Sequence, residues 1–283
     1  MTELTKRIIV AAIGIPLGIV VMYFGGVVFN VIILFISLLA LYEFYQIAEK
    51  KGYPTDLYLG IGLGVGTIMP YTIFVLTDAD LGVDLYEPTF ELINGIISVY
   101  IFFLLLVPLY FLFRKKENYL ATIGVTFAGF FYISLPFFCL VLLRDLENGF
   151  YWTILTFASI WICDIAAFFI GRKFGKHKLA PTISPKKSIE GAIAGFIASA
   201  MFFIVTSNYF IEEISLALSI ALGVVIGIFG QLGDLIESKF KRDADVKDSS
   251  NLIPGHGGVL DRFDSIIFVV PFVYIILVAF QKV

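Results

Sequence analysis

Apolar runs of about 20 residues recur along the whole chain, and few architectures can be built from them. Each run is long enough for one helix across a hydrocarbon layer. Each is also too uniformly apolar for a barrel strand, which needs about ten residues of alternating character. In lipid a spanning segment must satisfy its own backbone hydrogen bonds, so the runs read as helices. Nine spans fit, at about 8–25, 27–48, 57–77, 92–113, 119–143, 150–170, 191–210, 215–235 and 265–281. Of the 283 residues, 59% are hydrophobic and only 15% charged, with a mean hydropathy of +0.94. Soluble domains carry roughly half and a quarter, so a soluble domain is excluded. The expected fold class is an all-α, polytopic integral membrane protein of about nine transmembrane helices.

The first run follows Lys6-Arg7 but passes through Gly25-Gly26 into the second without a small-residue cleavage site, so it reads as a retained helix. Cys139 and Cys163 both lie inside apolar runs and read as buried, inert thiols. Orientation follows from lysine and arginine. With the N-terminus inside, Lys6, Arg7, Lys50, Lys51, Arg114, Lys115 and Lys116 fall inside, as does every cation between Arg172 and Arg262. Only Arg144 and Lys282 fall outside, together with the acidic loop of Asp78, Asp80, Asp84, Glu87 and Glu91. An N-in, C-out topology is expected.

Two inside loops, 171–190 and 236–264, hold mixed polar clusters that the other connections lack. Residues 1–149, with spans one to five, therefore read as membrane scaffold. Residues 150–283, with spans six to nine and both loops, read as the catalytic membrane region. Glycines at 60, 62, 64 and 66, at 191 and 195, and at 223 and 227 have the small-residue spacing that lets helices approach closely in lipid. Gly230 and Gly233, next to Asp234, are left open between packing and the site.

The carboxylates point to chemistry. Asp164 sits about two turns inside the sixth span, where a bare charge costs a few kcal/mol, so it should face protein, water or a cation. Asp234 closes the eighth span, and Asp261 and Asp264 precede the ninth at a spacing that shares one helix face. Helix capping explains one of the latter two. Both together, with Asp234 and Asp248, fit a hard divalent cation, Mg²⁺. Zinc does not fit, because the only histidines, His177 and His256, lie in separate loops without cysteine partners. Positive-inside topology accounts for many of the lysines, but not for their interleaving with Asp, Gly, Pro and His. Gly255-His256-Gly257-Gly258 offers backbone N–H groups with little steric cover, and the stretch from Ser184 to Gly191 reads as a helix start, a natural anion site. Together these describe a Mg²⁺-plus-polyphosphate site at the inner membrane surface.

These residues also carry a resemblance. Ser238-x-Phe240-Lys241-Arg242, then Lys247-Asp248, then Leu252-Ile253-Pro254-Gly255-His256-Gly257-Gly258-Val259-x-Asp261-Arg262-Phe263-Asp264 resembles the signature of phosphatidate cytidylyltransferases. Asp164-x-x-Ala167-Phe168-Phe169-x-Gly171-Arg172-x-Phe174-Gly175-Lys176 and Ile183-Ser184-Pro185-Lys186-Lys187 are similar to the same family. Phe168 stands where tyrosine is common and Ser188 where threonine is common.

The resemblance implies transfer of CMP from CTP to phosphatidate. It implies Mg²⁺ on Asp261 and Asp264 with help from Asp234 or Asp164, and leaves open an additional monovalent cation. Lys247, Arg262 and the Lys186-Lys187 pair would stabilise pyrophosphate or hold the lipid phosphate. Asp248 belongs to the catalytic set, and His256 would bind phosphate. Arg172, Lys176, Ser184, Ser238, Lys241, Arg242, Gly257 and Gly258 would complete substrate binding. The expected partners are CTP, phosphatidate and membrane lipid, with no nucleic acid and a homodimer left open. The expected setting is a bacterial cytoplasmic membrane. A transporter, or another Mg²⁺-dependent CDP-lipid phosphotransferase, is the competing reading.

Overall fold

The computed structural model describes residues 3–78, 90–113, 118–212 and 214–280. Each expected span is helical there. The order is α1 (Glu3–Phe24), α2 (Gly26–Lys50), α3 (Leu57–Asp78), α4 (Phe90–Leu112), α5 (Tyr119–Gly129), a π-helical turn (Phe130–Ser134) and α6 (Leu135–Arg144). Then come α7 (Gly149–Phe174), β1 (Lys178–Ala180), β2 (Ser184–Ser188), α8 (Ile189–Phe210), α9 (Leu216–Asp243) and α10 (Leu260–Phe280).

Among the described residues seven helices are long and apolar enough to cross a membrane, with Tyr119–Arg144 counted as one. The other two, α1 and α4, contribute the shorter apolar stretches Ile8–Phe24 and Ile101–Leu112, so nine is an approximate count. Phe35, Leu105 and Val205 are among many large apolar side chains turned outward, the inverse of a soluble surface. The chain is a nearly all-α, multi-pass membrane protein. Arg114, Lys115, Lys116, Lys282, Asp80, Asp84 and Glu87 lie outside the described residues, as do the side chains of Lys6, Arg7, Asp78 and Glu91.

Two compact units divide the chain. The first is Met1–Val141, Asp145–Glu147 and Ser249–Leu260; the second is Leu142–Arg144, Asn148–Asp248 and Asp261–Val283. In the first, the ring of Tyr45 fills notches left by two glycines. A Cβ added at Gly60 would lie 2.3 Å from that ring, and one at Gly129 2.7 Å from it. The Tyr45 hydroxyl donates to the Thr126 carbonyl at 3.1 Å. Gly66 is matched in the same way to Phe103, whereas Gly62 meets nothing within 4 Å. Leu63, Val107, Phe111 and Phe130 form a buried cluster beside this seam.

In the second unit the glycine spacings are interhelical contacts. A Cβ at Gly195 would fall 2.7 Å from the Cys163 carbonyl, and one at Gly223 3.0 Å from that of Ala200. A Cβ added at Gly233 would lie 2.7 Å from the Asp264 carbonyl, which makes it a packing glycine, while one at Gly230 would meet only ordinary van der Waals neighbours, the nearest at 3.6 Å. Both cysteines are buried and free.

The expected loops are shorter than their sequence suggested. α9 continues eight residues beyond 235 to Asp243, so Ser238, Lys241 and Arg242 are helical, and α10 starts early enough to include Asp261 and Asp264. The loop 171–190 contains an antiparallel hairpin that pairs Lys178 with Ser188 and Ala180 with Ser184. Ser188 caps α8 by accepting from the Gly191 N–H at 3.2 Å. Glu190 reaches back to the N–H groups of Lys176 and His177 and meets His177 Nδ1 at 2.6 Å. This clasp joins the end of α7 to the start of α8 and fixes where the hairpin stands.

Candidate functional site

The hairpin, α7, α8 and α9 of the second unit enclose a cavity of about 670 Å³. Arg172, Lys178, Lys186 and Lys187 bring positive charge to its wall, and Asp164 and Asp234 bring negative charge. Ala167, Phe168, Leu179 and Ala192 make the remainder apolar, and Gly171, Gly175 and Gly191 expose backbone. Asp164 precedes the end of α7 by ten residues and Asp234 precedes the end of α9 by nine. At 1.5 Å rise per residue, each carboxylate therefore lies roughly 14–15 Å inside its helix end.

Lys187 reaches Asp234 at 2.5 Å, and Ser238, one turn further along α9, donates to the other oxygen of Asp234 at 3.2 Å. Gln231 lines the cavity one turn earlier, held by the carbonyls of Ala192 and Gly227 at 3.0 and 2.9 Å. Asp264 feels the negative charge of both Asp234 and Asp164, while Lys187 and Arg262 offset the charge of Asp164. Three aspartates from three helices thus repel one another, two of them on the cavity wall.

Asp261 has a different neighbourhood. Its side chain is 4% exposed and pairs with Lys241 at 2.5 Å, and Lys241 also pairs with the buried Glu237. Asp261 and Asp264 share the start of α10, as their spacing suggested, but Asp261 is engaged by a lysine. Among the described residues no three of His, Cys, Asp and Glu converge into a ready ligand set. The donor chemistry of Asp164, Asp234 and Asp264 nonetheless fits a hard divalent cation: oxygen donors only, mutually repelling, with Asp164 and Asp234 on the cavity wall.

The remaining expected residues separate by location. Arg172, Lys186 and Lys187 line the cavity. Lys176 follows α7 at the clasp, where its N–H is held by Glu190, and Ser184 opens β2. Arg242 donates to the Val246 carbonyl at 2.9 Å, while Lys247 and Asp248 are exposed on the connection after α9.

His256, Gly257 and Gly258 belong to the first unit. Gly255 and Gly257 have φ of 76° and 80°, conformations that favour glycine. The His256 N–H bonds to Ile253 O at 2.9 Å, and Ile253 N–H to Gly257 O at 2.8 Å, so the loop closes on itself. His256 Nδ1 is buried without a hydrogen-bond partner. The N–H groups of Val259 and Leu260 go to the carboxylate of Glu43 in α2.

Sequence reasoning placed Lys178 among the loop cations but missed Glu43, Glu237 and Gln231. The signal available for Glu43 was the one that exposed Asp164: an isolated acid within an apolar run. Gln231 carried no signal apart from the helix face that places it.

A cavity that sets lysines and an arginine beside carboxylates, within a multi-pass membrane protein, defines a membrane enzyme that handles phosphate groups. Residues 5–280 match the cytidylyltransferase family, and the chain belongs to that family. A protein of Synechocystis named phosphatidate cytidylyltransferase is 35% identical over 301 residues, covering 95% of each chain. One of Bacillus subtilis with the same name is 32% identical over 287 residues, covering 99% of this chain and all of its own. One of Staphylococcus saprophyticus is 42% identical over 147 residues, covering 52% of this chain and 56% of its own.

Proposed function

We infer that this protein transfers the cytidylyl group of CTP to phosphatidate, giving CDP-diacylglycerol and pyrophosphate. The observation that carries this reading is the cavity in which Arg172, Lys178, Lys186 and Lys187 stand beside Asp164 and Asp234, in a chain that matches the family over almost its whole length. An oxygen of the phosphatidate phosphate attacks the α-phosphorus of CTP. The bond from that phosphorus to the bridging oxygen breaks, and pyrophosphate leaves with the electron pair. The nucleophile is already ionised, so no serine–histidine pair is required, and positioning with charge neutralisation supplies most of the catalysis.

The cavity cations hold phosphate oxygens and offset the charge that develops on the leaving group. Lys187 is the most constrained of them, because Asp234 fixes its ammonium and Ser238 in turn orients Asp234. Arg262 lies within electrostatic reach of Asp164 and supplies a further cation. Asp164, Asp234 and Asp264 would hold Mg²⁺; Asp261 instead fixes Lys241. When bound, Mg²⁺ neutralises the triphosphate and polarises its phosphoryl oxygens. Phe168 lines the cavity and is 58% exposed, which supports lateral access for a lipid headgroup while CTP arrives from the cytoplasm.

The test uses the purified full chain in nanodiscs with CTP, phosphatidate and Mg²⁺. Pyrophosphate release that requires the lipid is expected. No release from folded protein overturns the reading.

A further inference from the structure

Glu43 lies in α2 between Tyr42 and Phe44, seven residues before the helix ends, and is 1% exposed. A carboxylate buried there without partners would be costly. Among the described residues no cation pairs with it; its partners are four neutral donors. Oε1 accepts from the Ser250 hydroxyl at 2.6 Å and the Val259 N–H at 3.0 Å. Oε2 accepts from the Ser249 hydroxyl at 2.9 Å and the Leu260 N–H at 2.7 Å.

Two of these donors have a special status. Leu260 is the first residue of α10 and Val259 precedes it, so their N–H groups have no acceptor within the helix. Glu43 therefore caps α10 from a helix more than 200 residues away, and its negative charge complements the positive end of the helix dipole. Gly258 fits this arrangement closely: a Cβ there would lie 2.4 Å from the Glu43 carboxylate.

We propose that Glu43 is a positioning residue for the transfer reaction, holding the segment 249–260 and setting the register in which α10 presents Asp261, Arg262 and Asp264. This rests on the functional reading above. It also singles out one substitution. Each oxygen of Glu43 takes one hydroxyl and one backbone N–H. In Glu43→Gln a hydroxyl can turn to accept from the new amide nitrogen, but a backbone N–H cannot, so one bond of the cap is lost in either orientation.

The experiment compares wild-type and Glu43→Gln protein in nanodiscs, measuring pyrophosphate release and hydrogen–deuterium exchange. The expected result is a kcat at least about tenfold lower with KM for CTP within about twofold, because the substrate contacts remain while the reacting geometry loosens. Deuterium uptake should rise over 249–264 and stay unchanged in α7 and the hairpin. Wild-type kcat with wild-type uptake overturns the proposal, and so does a loss confined to KM. If wild-type protein releases no pyrophosphate, the functional reading fails, and uptake over 249–264 still decides whether Glu43 caps α10. If Glu43→Gln does not accumulate, the double variant Ser249→Ala/Ser250→Ala replaces it. It keeps the backbone cap, so a kcat about threefold lower and raised uptake are expected; wild-type values for both overturn the proposal.

Discussion

Both units place acids inside apolar helices, and they treat them in opposite ways. In the first unit Glu43 is saturated: two hydroxyls and two backbone N–H groups occupy both oxygens, and nothing remains to offer a ligand. In the second unit Asp164, Asp234 and Asp264 repel one another and are only partly offset by Lys187, Arg262 and Lys241, and Asp164 and Asp234 line a cavity. A buried acid satisfied by its own chain holds the fold together. Acids that repel one another, two of them on a cavity wall, are left less fully satisfied by the fold. The distinction depends on how fully the oxygens are used, which burial alone does not reveal.

The largest effect that would test this contrast is Asp264→Asn. With a neutral amide in place of one of three repelling carboxylates, turnover should fall roughly a hundred- to a thousandfold, while the amount of folded protein is kept. A pyrophosphate-release rate within tenfold of wild type would break the comparison. Next is Lys187→Met, which removes a cavity cation and frees Asp234; kcat/KM should fall about ten- to a hundredfold by the same assay.

Gly195→Val tests the frame rather than the chemistry. Its side chain would collide with the Cys163 carbonyl, so a cost of roughly 1–3 kcal/mol and a thermal midpoint lower by several degrees are expected by differential scanning fluorimetry. Ser238→Ala should slow turnover only about threefold, because it removes one long hydrogen bond from an Asp234 that Lys187 still holds. The smallest effect is Phe168→Tyr, within about twofold in steady-state rate, since the family resemblance tolerates a ring without a hydroxyl at this position. A larger change would show that this part of the wall contacts substrate.

The apolar runs made the helices legible because lipid leaves a chain few other ways to satisfy its backbone. The helix ends were harder to read. Lys239, Lys241, Arg242 and Asp243 looked like loop because they are charged, yet lysine and arginine are good helix formers and no glycine or proline follows Gly233 before Asp243. The hairpin was hidden for a related reason: Ser184-Pro185-Lys186-Lys187-Ser188 shows no apolar alternation, and the clasp formed by Glu190 with His177 holds it in place. Asp164, Asp234 and Asp264, all singled out from the sequence as candidate ligands, lie within electrostatic reach of one another. The pairing of Asp261 with Lys241 could not be read, because both look equally suited to binding phosphate or metal until α9 and α10 are in place. Glu43 shows most clearly where sequence reading stops, since its partners lie 206 to 217 residues further along the chain.

That separation also has a consequence in time. A ribosome adds about 5–20 residues per second, so Glu43 is made and inserted roughly 10–40 s before Ser249 exists to meet it. Until then the first unit carries an acid among apolar helices with none of its final partners. The N-terminal half of this protein is therefore not finished when it leaves the ribosome; it is completed by twelve residues from near the other end of the chain, Ser249–Leu260.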